Sequence, residues 1–181
     1  MADTAVLRRM LQPNIIIPLQ DHYNDKKKLL LQEPQADDSC IEIHNVPADS
    51  IVIDLDRAFS NQGLFCGSQG ECKRADYLLI SEQTEKILFI ELKQSSSGKS
   101  GIIKQLQGSL CAFEYCQIIA REFFHEAEFL QSYQQRFIAF THTTSRSRKT
   151  EVEREVVRHG TPQQPLMIRY TRTFQFNQMA A

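Results

Sequence analysis

Three side chains near the middle of the chain, Asp76, Glu91 and Lys93, have the types and spacing to do hydrolytic chemistry. They lie at the ends of two apolar runs, Ala75 to Ser81 and Lys86 to Lys93, joined by the polar turn Glu82-Gln83-Thr84-Glu85. Both runs have strand character. A turn centred between Gln83 and Thr84 makes opposed residue numbers sum to 167. In that register Asp76 faces Glu91 directly, with Cβ atoms roughly 4.5–5.5 Å apart. The strand period of two puts Glu91 and Lys93 on one face with Ile87 and Phe89, and Leu88, Ile90 and Leu92 on the other.

Two carboxylates and an ammonium then converge at the end of a strand that is apolar on both faces. Like charges directly opposed destabilise a sheet, and desolvation adds to the penalty. A divalent cation between the carboxylates reverses the sign of that interaction. Mg²⁺ (or Mn²⁺) is the expected cofactor, because such ions bind oxygen ligands and keep several waters. Lys93 could orient or help deprotonate an attacking water, or neutralise charge building on a phosphate. The plain alternative is an edge-strand salt bridge, since Glu-x-Lys is a common tripeptide and exposed pairs are worth little.

The elements that must position these residues follow from periodicity. A short amphipathic stretch, Ala5 to Leu11, is stopped by Pro13, and Asn14-Ile15-Ile16-Ile17-Pro18 is strand-sized. Asp21 to Leu31 is expected to be a helix ending before Pro34, followed by a loop over Glu33 to Ser39. Ile41 to His44 and Ser50 to Leu55 read as strands, and Gly63 to Gly70 as a loop. After the hairpin and a serine-rich loop, apolar residues at 102, 103, 106, 110 and 113 predict a helix continuing to about Phe124. Arg136 to Thr143 is expected as a strand, Glu151 to Arg158 as a short helix, and Leu166 to Phe174 as a last strand. Strand, crossover helix, strand is the pattern of a parallel pair.

Arg74-Ala75-Asp76-Tyr77-Leu78-Leu79-Ile80, then Ile87-Leu88-Phe89-Ile90-Glu91-Leu92-Lys93, then a helix carrying Lys104-Gln105-Leu106, resembles the PD-(D/E)xK superfamily of restriction-endonuclease-like nucleases. The resemblance covers Ile51 to Ile119, with an extension to Thr144. It implies an α/β fold with a restriction-endonuclease-like core: an antiparallel β-meander, a crossover helix and a parallel strand, with helices flanking a mixed sheet. It implies a metal-dependent nuclease that hydrolyses phosphodiester bonds, DNA in preference to RNA. Asp76 and Glu91 would be metal ligands, Lys93 the catalytic lysine and Gln105 an active-site helix residue. A further acid from the helix before the meander is common in the family, and Glu33, Glu42, Asp54, Asp56 and Glu71 are the candidates here. Ala75 stands where many members have proline. Some members of the fold are inactive binding modules, so the alternative is a binding or regulatory subunit of a nucleic-acid-processing or defence assembly. Either form could work as a homodimer or beside a partner subunit.

Other motifs carry less. Gly98-Lys99-Ser100 lacks a phosphate-loop's first glycine, because Lys93 occupies that position. Lys99 and Lys104 could still contact nucleic-acid phosphates, as could Arg146, Arg148 and Lys149 in the hydroxyl-rich stretch Thr141 to Lys149. Cys66 and Cys72 have no paired Cys-x-x-Cys and read as thiols rather than a zinc site. Among the five histidines only His142, at the end of a strand parallel to the active one, could approach the site.

The chain of 181 residues, 41% hydrophobic and 24% charged, suits one domain. Residues 1–50 form an N-terminal extension or first core helix, 51–144 the core, and 145–181 a C-terminal helix and strand. No apolar run reaches the 18 or so residues of a membrane span. Met1-Ala2-Asp3-Thr4 does not begin a signal peptide and five cysteines suit reduced thiols, so the expected location is cytoplasmic. The net charge of −1 conceals an asymmetry: 10 Lys+Arg against 15 Asp+Glu through Lys93, and 11 against 7 after it. It argues against tight non-specific binding to nucleic acid without excluding a nucleic-acid enzyme.

Overall fold

The computed structural model describes residues 2–32, 40–59, 64–93, 98–141, 159–169 and 173–181. The chain is mixed α/β. Its first helix, α1 (Asp3–Met10), carries Asp3 in its first turn and Arg8 and Arg9 in its last, charges that complement the helix dipole. A 3₁₀ turn at Pro13–Ile15 leads into β1 (Ile16–Ile17), followed by β2 (Gln20–Asp21), a second 3₁₀ turn, and β3 (Lys27–Gln32). Next come β4 (Cys40–Val46), β5 (Ile51–Asp54) and the one-turn helix α2 (Leu55–Ala58). The hairpin is β6 (Tyr77–Ser81) and β7 (Lys86–Lys93), and α3 (Lys99–Phe124) follows it. The chain closes with β8 (Gln134–Thr141), β9 (Leu166–Arg169), β10 (Thr173–Gln175) and α4 (Phe176–Ala180).

Six strands form the main sheet in the order β1-β5-β6-β7-β8-β9. β5, β6 and β7 pair antiparallel, and β8 then runs parallel to β7 and β9 parallel to β8. Four strands form a second sheet in the order β10-β4-β3-β2. Strand alternation divides the core into two layers. Ile51, Ile53, Leu78, Ile80, Ile87 and Phe89 face α1 and α3, where they meet Leu7, Ile102, Leu106 and Phe113. Val52, Leu79, Leu88, Ile90 and Leu92 face the second sheet, where they meet Leu29, Leu31, Ile41 and Ile43. Helices therefore cover one face of the main sheet, and a second sheet with α4 covers the other.

Two expected elements differ from this structure. Asp21 to Leu31 is not a helix: it forms β2, a 3₁₀ turn and β3. Three consecutive leucines carry no periodicity of their own, and pairing with β4 imposes the strand period, so that Leu29 and Leu31 are fully buried. Leu166 to Phe174 is not one strand. Its apolar pattern serves two, since Ile168 on β9 and Phe174 on β10 pack into the same layer from opposite sheets. Glu151 to Arg158 lies outside the described residues.

The hairpin register is the one the turn implies, with Tyr77 opposite Ile90 and Ser81 opposite Lys86. Asp49, in the loop between β4 and β5, accepts hydrogen bonds from the backbone N–H groups of Glu82 (2.6 Å) and Gln83 (2.9 Å). A neighbouring loop thus fixes the turn that sets which residues meet at the far end.

Candidate functional site

At that far end the ladder's last pair before the site is Tyr77 and Ile90, which places Asp76 next to Glu91 and toward the α3 side of the sheet. Asp76 is held at both its neighbours. Its side chain accepts a 2.6 Å hydrogen bond from the Leu92 N–H, and its carbonyl accepts one of 2.9 Å from the Leu55 N–H at the start of α2. The preceding segment is clamped to α3. The buried Ser109 hydroxyl accepts from the Ala75 N–H at 2.6 Å and donates to the Gln105 carbonyl at 3.1 Å. One residue earlier on α3, a Cβ at Gly108 would lie 1.7 Å from the Lys73 carbonyl oxygen. Only glycine allows the loop backbone to lie this close to the helix.

Glu91 is the unusual group. Its side chain is 0% exposed, and neither carboxylate oxygen has a hydrogen-bond partner among the described residues. Lys93 Nζ stands 3.2 Å from Oε1, an ion-pair contact whose alignment falls short of a hydrogen bond. Burial pushes the Glu91 carboxyl up to about 9, the Asp76 charge adds to the rise, and Lys93 opposes it. Asp56, exposed on α2, raises it further through space. The Tyr77 phenol beside them is pushed up to about 12 by burial first, then by Asp76 and Asp54.

The fold therefore brings Asp76, Glu91 and Lys93 together. Gln105 sits half-buried on the same side of the sheet, one helical turn before Ser109, and no hydrogen bond joins it to the carboxylates among the described residues. Lys99 is exposed in the first turn of α3, and the Lys104 stem lies against Gly70. His142, Arg146, Arg148 and Lys149 lie outside the described residues, as does Glu33.

Among the other acid candidates, Glu42 is on the second sheet, paired with Lys28 and His44 at 3.0 Å each. Asp54 caps α2 and pairs with Arg57, and Glu71 binds backbone N–H groups in its own loop. Of these candidates Asp56 acts on Glu91, raising its carboxyl through space. Sequence reasoning missed the Gly108 and Ser109 clamp. A glycine and a serine adjacent in the middle of a long helix were its signal, because both weaken a helix unless packing needs them.

Among the described residues no three or more of His, Cys, Asp and Glu converge to hold a metal ion. Cys66 and Cys72 are free thiols. Asp76 and Glu91 nevertheless suit Mg²⁺, which is held by one or two carboxylates and otherwise keeps its waters. The buried oxygens of Glu91, without a hydrogen bond among the described residues, are the observation that fits such an ion. No helix among the described residues is long and apolar enough to cross a membrane. Comparison with protein-family models, curated proteins and solved structures finds no match to this chain.

Proposed function

We propose that this chain is a metal-dependent nuclease with a restriction-endonuclease-like core. The observation that carries the reading is Glu91: a buried carboxyl with no hydrogen-bond partner among the described residues and a single ion-pair contact from Lys93, beside Asp76 at the open end of a clamped hairpin. Desolvating a carboxyl without partners is costly, and a structure tolerates it where another species completes the site. The order meander, crossover helix, parallel strand supports the same reading.

Asp76 and Glu91 would hold Mg²⁺ or Mn²⁺. When bound there, the ion supplies a Lewis acid toward the scissile phosphate. Lys93, flexible and partly exposed, reaches from the strand end to orient the attacking water or to neutralise charge on the phosphate. The Leu92 N–H holds the Asp76 carboxylate in place, and the Gly108–Ser109 clamp fixes the strand that carries it.

The test is cleavage of labelled single- and double-stranded DNA and RNA in Mg²⁺ or Mn²⁺, with EDTA as control. Glu91→Gln should abolish cleavage, and Lys93→Ala should lower it roughly 100- to 1,000-fold, as for removal of one preorganised group facing developing charge. Cleavage that persists in Glu91→Gln would overturn the reading.

The Lys93–Glu91 contact at 3.2 Å supports a second reading, in which the ammonium takes the cation's place and the chain is a non-catalytic binding module. In that case Mg²⁺ leaves the melting temperature unchanged, and nucleic acid or protein binds regardless of Glu91→Gln.

A further inference from the structure

The loop from Leu64 to Arg74 leads directly into Asp76, and it is built to hold one shape. The Glu71 carboxylate accepts hydrogen bonds from the N–H groups of Gly67 (2.9 Å) and Gln69 (2.8 Å), which brace the loop from within. These bonds hold its carboxyl below the usual range. The Gly70 N–H donates to the Gly67 carbonyl, the Lys73 N–H to the Gly70 carbonyl, and the Cys72 thiol to the Phe65 carbonyl. Gly70 adopts φ +94°, and the Lys104 stem from α3 covers it. Behind the loop, Gly108 and Ser109 fasten it to the helix.

This ordered loop presents two large apolar side chains to solvent: Leu64 is 73% exposed and Phe65 52%. Cations lie on the same loop and on the helix behind it. Lys73 is exposed, Lys104 crosses the loop backbone, and Lys99 is exposed one and a half turns earlier on α3. Glu71 keeps its charge, but Lys73 and Arg74 on the loop and Lys104 against it outnumber it, so the local balance is positive. An exposed planar ring, on a loop that carries Lys73, lies against the Lys104 stem and leads into Asp76, has the make-up of a stacking platform for unpaired bases. Bases within a duplex are stacked on each other and offer no free face to such a ring.

We infer that Phe65, with Leu64, is a stacking platform for unpaired nucleobases, with Lys73 and Lys104 holding the adjoining phosphates, so that the chain's substrate is a single-stranded or locally unpaired nucleic acid. The inference rests on the nuclease reading and deepens it. The ring faces solvent, so replacing it removes no core contact. A protein partner covering the same apolar pair is the competing occupant, but its charge preference would have to be acidic in the same way.

The experiment measures fluorescence anisotropy of a labelled single-stranded oligonucleotide and its duplex. It is run in EDTA, and again with Mg²⁺ in a Glu91→Gln background so that cleavage cannot interfere. Wild type should prefer the single strand. Phe65→Ala should weaken single-strand binding by roughly 5- to 150-fold, the range of one base–aromatic stack, and leave duplex binding unchanged. Phe65→Tyr should restore it. Lys73→Ala and Lys104→Ala should each lower the slope of affinity against salt by about one phosphate contact. Equal binding of both forms by wild type, no binding of either, or a Phe65→Ala variant with wild-type affinity would overturn the inference. A self-association or protein complex lost in Phe65→Ala, with nucleic-acid affinity intact, would overturn it in favour of the protein partner. Mg²⁺-dependent cleavage of duplex with Phe65 dispensable would leave the nuclease reading standing while this inference fell.

Discussion

Lys93 Nζ lies 3.2 Å from a carboxylate oxygen of Glu91 that is closed to solvent. The two residues share one face of β7, separated by Leu92, whose side chain packs into the opposite layer. The ammonium is partly exposed and the carboxylate is not, so only one end of the pair is desolvated. A buried ion pair repays its desolvation only when remaining lone pairs are satisfied, and those of Glu91 are not. The contact is therefore weak support for stability and leaves the carboxylate available to a cation.

Replacing Glu91 separates these roles. Burial and the Asp76 charge push its carboxyl up to about 9, favouring the protonated form in the metal-free protein over an ion pair with Lys93. Glu91→Gln is then close to isosteric, and the metal-free variant should melt near wild type at pH 7. A structural ion pair would instead cost about 3–5 kcal/mol on losing one partner. Differential scanning calorimetry in EDTA distinguishes the two outcomes.

The same shift gives a pH dependence with a definite sign. Between its ordinary value of 4.5 and about 9, Glu91 binds a proton in the folded chain and none in the unfolded one. Its contribution to metal-free stability is complete below 4.5, declines as pH rises through that window, and is lost above about 9. A melting-temperature series should show Glu91→Gln gaining on wild type toward high pH. Parallel profiles for the two proteins would contradict this.

Mg²⁺ should stabilise wild type by about 2.7 kcal/mol at one hundred times its dissociation constant, and Glu91→Gln much less. Because the ion competes with the Glu91 proton, its affinity should rise with pH. Isothermal titration in two buffers of different ionisation enthalpy would reveal the released proton.

Gly108→Ala tests the clamp beneath Asp76. The new methyl would meet the Lys73 carbonyl, and overpacking of this kind costs about 1–3 kcal/mol. Cleavage should fall by more than the folded fraction does, because the Asp76 strand is displaced with the loop. Gly98→Ala, with no described residue within 4 Å of its Cβ, is the control and should leave both unchanged.

Ser109→Ala leaves the buried Ala75 N–H without its acceptor, at a cost of about 1–3 kcal/mol. Denaturant unfolding measures this directly. A change below about 0.5 kcal/mol, the range of surface substitutions, would show that the contact does not hold the strand.

What could be read from the sequence was local. The Glu82–Glu85 turn and the alternation on either side set the hairpin register, so Asp76, Glu91 and Lys93 could be grouped before any coordinates. The span of α3 was legible because its apolar residues recur at helical spacing over many turns. Leu29-Leu30-Leu31 could not be assigned, because a run of three leucines suits either period until β4 supplies hydrogen bonds.

By itself, then, the sequence determined which residues oppose each other across one turn and which faces of the hairpin strands and of α3 are apolar. Both depend on neighbours within a few residues. Tertiary structure alone decided that a second sheet covers the face opposite α3, that Asp56 comes close enough to add to the effect of Asp76 on Glu91, and that Gly108 and Ser109 hold the Asp76 strand. It also decided that Glu91 is buried with no hydrogen bond to its oxygens among the described residues. Those relations join segments tens of residues apart, and burial is a property of everything packed around a group rather than of the group's own place in the chain.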